Sequence, residues 1–511
     1  MSADPARAAS PNFLVLIADQ LTPFALRPWG NRVVRTPNID RLATSGAVFE
    51  SAYCPSPLCA PSRFGLLSGL LPSRFGGFDN ACEMPSEIPT VAHHLRSAGY
   101  RTILSGKMHF AGPNQLHGFE ERLTTDIYPA DFGWTPDWRD PDGRPEWYHN
   151  PSSVIQAGPA VRTNQLDFDD EVVFKARRKL FDLARGNDRR PFLLTVSMTH
   201  PHDPYVIARE YWDRHADADI DDPKLGANDI ADDAHSARLR RACQFDITPL
   251  TREQIRRARR AYYGAISYVD DKIGELLSTL EATGAADNTV IVLLSDHGDM
   301  LGERGLWYKM HFFEPAIRVP MLFHAPARFA ARRIGGAVST LDLLPTLTDI
   351  AGAPLPAGID GRSLLPALLG ATPPAETFAE YLGEGAIAPM AMIRRDNFKF
   401  IHSPADPDLL FDLAADPLET RNLAGDAHFS ALVAQFRAEA GSRWDFAELE
   451  SAVLASQQRR RFVHAAESRG QRSAWDYQPP DDASRQYVRS HMELDAIEAM
   501  ARFPAWQSGG N

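Results

Sequence analysis

The sequence predicts an α/β protein, with a large sheet between helices followed by a smaller antiparallel unit and an extended tail. Three observations predict it. Short apolar runs alternate with amphipathic stretches through the first two-thirds of the 511 residues, the pattern of strands joined by helices. Four of those runs stop at clusters of polar, chemistry-bearing residues. From about Thr377 the texture changes to short, closely spaced runs. With 44% hydrophobic residues the chain can also bury a sizeable core.

Taken in order, strands are predicted over residues 12–18, 101–105, 192–197 and 289–294. Spaced apolar positions predict helices over 36–46 and 88–98, the second stopped by Gly99 as a C-cap. Longer helices are expected over 171–185 and 252–283, the last ending before Gly284. A helix over 63–70 should follow Cys59. Strands over 377–381, 391–394 and 398–402 form the smaller unit, followed by 410–424. After about Phe446 the chain is rich in Arg, Gln and aromatics, without a period strong enough for its own core. It reads as a tail packed on the body or on a neighbouring subunit. The expected units are therefore 1–375, 376–446 and 447–511. There are no internal repeats.

Charge and cysteines narrow the function. A net charge of -12 with no long Lys/Arg run argues against nucleic-acid or anionic-membrane partners. Residues 1–11 are polar, and the apolar run over 13–18 is too short for a signal-peptide core, so a cytoplasmic protein is expected. The four cysteines, Cys54, Cys59, Cys82 and Cys243, make neither a disulfide framework nor a C-x-x-C pair. One that matters should act singly.

The strand ends carry the functional signal. The first ends in Asp19-Gln20, the second in Gly106-Lys107-Met108-His109. The third runs into His200-Pro201-His202-Asp203, the fourth into Asp296-His297-Gly298-Asp299. Ligands of open α/β sheets bind outside the carboxyl ends of the strands. Four such endings together predict an active site there.

The sharpest motif is Cys59-Ala60-Pro61-Ser62-Arg63, a C-x-P-S-R pattern with Gly69 downstream. On it the chain resembles the formylglycine-dependent sulfatases of the alkaline phosphatase superfamily. That resemblance implies an alkaline-phosphatase-like sandwich with a mixed sheet, and Cys59 converted to formylglycine by a generating enzyme. A small buried hydrophobe is the alternative for Cys59. The chemistry suits the conversion. An aldehyde hydrate offers one hydroxyl to attack sulfur and a second whose deprotonation releases sulfate and restores the aldehyde. A helix N-terminus after Cys59 would also favour the anion.

The resemblance further implies one divalent cation held by Asp19, Gln20, the modified Cys59, Asp296 and His297. Gln20 stands where a second aspartate is usual, and His297 where asparagine is usual. Calcium is favoured on oxygen count, with manganese the alternative. Capping of the following helices is the other reading of Asp19 and Asp296. Arg63 would stabilise the alkoxide, Lys107 would hold a sulfate oxygen, and His109 would be the base. His202 and Lys309 would face the leaving oxygen. His200 is expected to be a core histidine bonded to a backbone carbonyl, and His93 and His94 to be structural.

The similarity extends to choline-sulfatases through Gln115–Pro136, Thr199–Tyr205, Ser295–Trp307 and the tail, including Trp475–Pro479 and Tyr487–Met492. It implies choline-O-sulfate as substrate. A quaternary ammonium is bound by aromatic faces and carboxylates, and Trp134, Trp138, Trp147, Tyr148 and His149 crowd one loop. Trp134, His149 and Asn150 are expected in the choline pocket, Asn80 near the sulfate, and Glu384 and Asp495 near the cation. Asp495 would come from a neighbouring subunit, which implies a homo-oligomer, a tetramer or a dimer. Loop packing, and a solvated helix face for Asp495, are the plainer alternatives. The rival functions are a phosphonate monoester hydrolase or phosphodiesterase, and a non-catalytic choline-sulfate binder.

Overall fold

The first predicted strand, β1 (Asn12–Ala18), is buried on both faces apart from Asn12, as an unbroken apolar run requires. In the computed structural model, which describes residues 10–128, 131–141, 143, 149–216, 219–471, 477–479 and 492–505, it lies inside an eight-stranded sheet. The other strands are β2 (Ala47–Tyr53), β3 (Arg101–Gly106), β4 (Glu121–Arg122), β5 (Gly158–Ala160), β6 (Phe192–Met198), β7 (Val206–Ala208), β8 (Thr289–Leu294), β9 (Arg318–His324) and β10 (Arg332–Ser339). Their order in the large sheet is β10-β2-β9-β8-β1-β6-β3-β4, and β5 pairs with β7 apart.

The sheet is mixed. β8, β1, β6, β3 and β4 run parallel, β9 opposes both β8 and β2, and β10 runs with β2. Every strand except β9 therefore points one way. The carboxyl ends of β1, β2, β3, β6 and β8 open on one edge.

The four expected strands are present within a residue at either end. The sequence pattern does not reveal β2, β9 and β10, for local reasons. Pro320 lies in β9, Gly335 and Gly336 sit at a register shift in β10, and Glu50 interrupts β2. The helix expected from residue 171 begins earlier, spanning Asn164–Arg185, because Thr163 caps it by accepting from the Leu166 N–H. Cys59 opens a helix rather than preceding one. The helix is Cys59–Ser68, and Pro61 sits in its first turn, where a missing N–H costs nothing.

A second sheet, β11 (Glu376–Tyr381), β12 (Met390–Arg395), β13 (Phe398–Ser403) and β14 (Asp406–Asp412), is antiparallel throughout. The helix Ser430–Arg443 covers it, with Phe436 stacked on Phe400 at 5.5 Å. The next helix, Phe446–Glu467, returns to the large sheet's loops. Its buried residues are only Val453, Gln457 and Arg460, a mostly polar stripe that leaves no apolar period to read. Among the described residues no helix is long and apolar enough to cross a membrane.

Candidate active site

Four strand ends and one helix build the site. Cys59 and Arg63 are four residues apart on the helix Cys59–Ser68, so both project from one face. Asp19 follows β1, Lys107 and His109 follow β3, His202 follows β6, and Asp296 and His297 follow β8. Gln20 and His109 both adopt left-handed backbone, with φ of 62° and 64°, strain that well-determined functional sites sustain.

At the centre, Asp19, Cys59, Asp296 and His297 are fully buried, with one potential ligand atom from each within 4.8 Å of all the others. Arg63 braces the cluster. Its Nε donates to Asp296 Oδ2 at 2.8 Å, its Nη1 donates to the Lys107 carbonyl at 2.7 Å and to Ser197 Oγ at 2.9 Å, and its Nη2 lies 3.4 Å from Asp19. Lys107 Nζ also bonds Asp19. Burial works against ionisation of Asp19, but Lys107, His202 and Arg63 hold its carboxyl well below the usual range. Burial likewise opposes a charged Cys59, yet Lys309, His297 and Lys107 hold the thiol far below its ordinary value. The field at position 59 favours a negative charge.

These residues fit a divalent cation. Asp19 Oδ1 is buried with no hydrogen-bond partner among the described residues. His297 Nδ1 donates to the Gly298 carbonyl at 3.0 Å, which leaves Nε2 facing Cys59 Sγ at 3.0 Å. Burial alone would lower the His297 pKa, but Asp296 and Cys59 raise it above the ordinary value, so the spot favours positive charge. Two carboxylates, an imidazole and the group at position 59 make a donor set for such an ion. The Gln20 amide is committed elsewhere. Its Nε2 donates to Asp299 at 2.7 Å and to Asp203 at 3.4 Å, and its Oε1 accepts from Lys309 Nζ at 2.6 Å.

Lys309 Nζ also donates to His202 Nε2 at 2.7 Å, while His202 Nδ1 donates to the Asp203 carbonyl at 2.6 Å. Burial disfavours the ammonium, but Cys59, Asp203, Asp19 and Asp296 raise its pKa. His109 Nε2 donates to the Asn80 carbonyl at 3.2 Å, which leaves Nδ1 with a lone pair and no hydrogen-bond partner among the described residues. Asn80 Oδ1 in turn accepts from the Ala60 N–H at 3.0 Å, at the start of the Cys59 helix.

The expected cation pocket is assembled in part. The Trp134 ring lies 5.6 Å edge-on from His109. His149 stacks on Tyr308 at 4.4 Å and approaches Asp203 at 3.5 Å. Glu384 is buried, its Oε2 has no hydrogen-bond partner among the described residues, and burial pushes its carboxyl up to about 7. The Asn150 side chain turns to Ser152, accepting from its N–H at 2.9 Å. Trp138 is buried and donates Nε1–H to the Gly383 carbonyl, so it serves packing. Asp495 is not brought to the site of its own chain. It is exposed on the helix Leu494–Ala501, which lies beside Phe181 and Arg185. Trp147, Tyr148, Trp475, Asp476 and Tyr487–His491 lie outside the described residues.

One histidine differs from expectation. His200 pairs with a carboxylate rather than a backbone carbonyl, since its Nδ1 lies 2.7 Å from Asp169 Oδ2. His93 closes a capping box with Thr90 at the start of the helix Val91–Ser97. Sequence reasoning missed Ser197, Asp203 and Asp299, although the last two stand in the very strand endings that drew attention. It also missed Asp79, bonded twice by Arg460 at 2.6 and 2.7 Å.

A buried, cation-rich anion site with a cysteine at a helix start, on the carboxyl edge of a mixed sheet, defines the class. The chain belongs to the sulfatases of the alkaline phosphatase superfamily, with residues 11–353 matching the Sulfatase family. It is a sulfuric ester hydrolase. Residues 302–442 also match the C-terminal region of N-sulphoglucosamine sulphohydrolase, and residues 451–503 match the choline sulfatase enzyme C terminal. Over nearly its whole length the chain is similar to the choline-sulfatase of Rhizobium meliloti (strain 1021), with 47% identity over 505 residues, 97% of this chain and 98% of that one. Among solved structures it resembles the phosphonate monoester hydrolase of Agrobacterium radiobacter, with a TM-score of 0.69, 25% identity, and 84% and 95% of the two chains covered. A 2-O GAG sulfatase matches with a TM-score of 0.65 and 24% identity over 85% and 92% of the chains.

Proposed function

We propose that this protein hydrolyses choline-O-sulfate to choline and sulfate. The observation that carries the reading is full-length similarity to a choline-sulfatase, joined to an intact site of Cys59, Arg63, Lys107, His109, His202 and Lys309. Asp19, Asp296, His297 and the group at position 59 would hold the metal, which supplies Lewis acidity. Cys59, converted to formylglycine by a generating enzyme, supplies the hydroxyl nucleophile, and Sγ marks the place of its oxygen. The carboxylates favour calcium, while the His297 nitrogen keeps manganese as the alternative.

The chain's own residues do the rest. Lys107 and Lys309 bring positive charge to the sulfate oxygens, and Arg63 fixes the two aspartates. His109, beside position 59, takes a proton there through Nδ1, because the Asn80 carbonyl occupies its Nε2–H. Lys309 is the proton donor to the leaving alcohol. His202 Nε2 and Gln20 Oε1 both accept from the ammonium and so aim it. Choline's ammonium would meet Trp134 and the Glu384 carboxylate.

We infer a cytoplasmic homo-oligomer, a tetramer or a dimer, in which Asp495, exposed and away from its own chain's site, enters a neighbour's pocket. Sulfate release from choline-O-sulfate by the purified protein, beside Cys59→Ala, tests the reading. Release that vanishes in the variant is the expected result. Intact mass confirms conversion of Cys59, and a converted enzyme that turns over only phosphate or phosphonate esters would replace the substrate with the phosphonate monoester hydrolase alternative.

A further inference from the structure

The helix Phe446–Glu467 reaches the active site from the C-terminal side of the chain. Arg460 lies in its fourth turn, nearly fully buried, and grips the fully buried Asp79 with both terminal nitrogens, at 2.6 and 2.7 Å. A bidentate pair of this kind fixes geometry as well as charge. Asp79 is not an isolated carboxylate. Its Oδ1 also accepts from the Ala81 N–H at 3.0 Å, and its carbonyl accepts from the Cys82 N–H at 3.1 Å, so the turn around Asn80 is set by it.

Asn80 faces the chemistry. Its side chain holds the Ala60 N–H, one residue from the nucleophile, and its carbonyl holds the Nε2–H of His109. The same guanidinium donates to Thr135 Oγ1 at 3.1 Å, beside the Trp134 that lies against the His109 ring. One turn earlier, Gln457 Oε1 accepts from the Trp138 N–H at 3.1 Å. One buried guanidinium thus ties the C-terminal helix to the two groups that set the position of residue 59 and the tautomer of the base.

We propose that Arg460 is a positioning residue for the sulfatase reaction, acting through Asp79 and Asn80 on the start of the Cys59 helix and on His109. This rests on the sulfatase reading but not on choline as the alcohol. With the guanidinium replaced, Asn80 loses its fixed carbonyl direction. His109 then samples the tautomer with the proton on Nδ1, in which it cannot accept one. The defect belongs to turnover, and to every sulfate ester alike.

The test measures kcat and KM for choline-O-sulfate and for 4-nitrophenyl sulfate in Arg460→Lys, which keeps the charge but loses the fork, and in Asp79→Asn. The control is Arg461→Gln on the same helix, which breaks a half-exposed pair with Asp137 and does not touch Asp79. Thermal unfolding and intact mass confirm that each variant is folded and converted. The expected result is a fall in kcat of tenfold or more on both substrates, with KM within threefold, in both Arg460→Lys and Asp79→Asn, and wild-type constants in Arg461→Gln. Wild-type kcat in a folded Arg460→Lys or Asp79→Asn variant would overturn the proposal. So would a loss confined to KM for choline-O-sulfate, which would place Arg460 in the service of the cation pocket alone. If the wild type hydrolyses only the aryl ester, the substrate reading fails while the 4-nitrophenyl sulfate comparison still decides the role of Arg460.

Discussion

The two halves of the site are built in different ways. The half assigned to the sulfate stands on strand ends and one helix turn, with Asp19, Arg63, Asp296 and His297 each 0% exposed and bonded to one another or to backbone. The half assigned to the cation stands on residues 131–141, His149 and Asn150, on Glu384, and on a helix tied back from the C-terminal side. Strand ends cannot shift without moving the sheet, so they suit chemistry that needs fixed distances. Loops vary more freely and suit the choice of alcohol. The contrast is tested by whether a substitution damages turnover of every sulfate ester or binding of the cationic one alone.

The largest effect should come from Asp296→Asn. Asp296 Oδ1 accepts from the Gln20 and His297 N–H groups, both at 3.0 Å, Oδ2 accepts from Arg63, and the residue belongs to the metal cluster. The amide loses the charge that holds both Arg63 and a divalent ion. Turnover of choline-O-sulfate and of 4-nitrophenyl sulfate should each fall by at least about 10³-fold. Bound calcium and manganese, measured by elemental analysis, should fall with them. A variant that keeps a full metal complement would remove Asp296 from the ligand set.

His109→Ala comes next. Loss of a general base lowers turnover by about 10² to 10⁴-fold. Here kcat should fall by that factor on both substrates, with KM little changed. A larger rise in KM for choline-O-sulfate than for the aryl ester would instead assign the ring, through its contact with Trp134, to the cation pocket.

The contrast also explains what the sequence discloses. Strand-borne chemistry was legible because β1, β3, β6 and β8 are short, almost wholly buried runs that stop at clusters of polar residues. The second sulfatase element, Gly106-Lys107-Met108-His109, is local and therefore readable. The Gln20 amide was not, since Asp203, Asp299 and Lys309, which commit it, lie 183, 279 and 289 residues away. Arg460 was hidden for the same reason, 381 residues from Asp79 and on a helix whose buried stripe is mostly polar. Strands β9 and β10 escaped because proline and paired glycines broke their pattern, although a sheet tolerates both at an irregularity.

Glu384→Gln should give the smallest loss of activity and divides the two halves most cleanly. Burial raises the carboxyl from 4.5 to about 7, so the folded protein binds a proton that the unfolded chain releases between those values. Stability therefore falls as pH rises through that window, and the penalty is complete above it, at roughly 3 kcal/mol from the size of the shift. Glutamine removes the penalty. The variant should be the more stable protein at about pH 8, with the difference closing toward the carboxyl's unfolded value of 4.5. Binding should move the opposite way. The wild-type KM for choline-O-sulfate should rise as pH falls below about 7, because the carboxylate proposed to face the ammonium is lost. In the variant KM should be independent of pH across that range and about tenfold higher at the alkaline end, the size of one desolvated cation contact. KM for 4-nitrophenyl sulfate should not change. Equal shifts on both substrates, or a variant less stable than wild type at alkaline pH, would make Glu384 a packing residue and leave the cation to the aromatic loop.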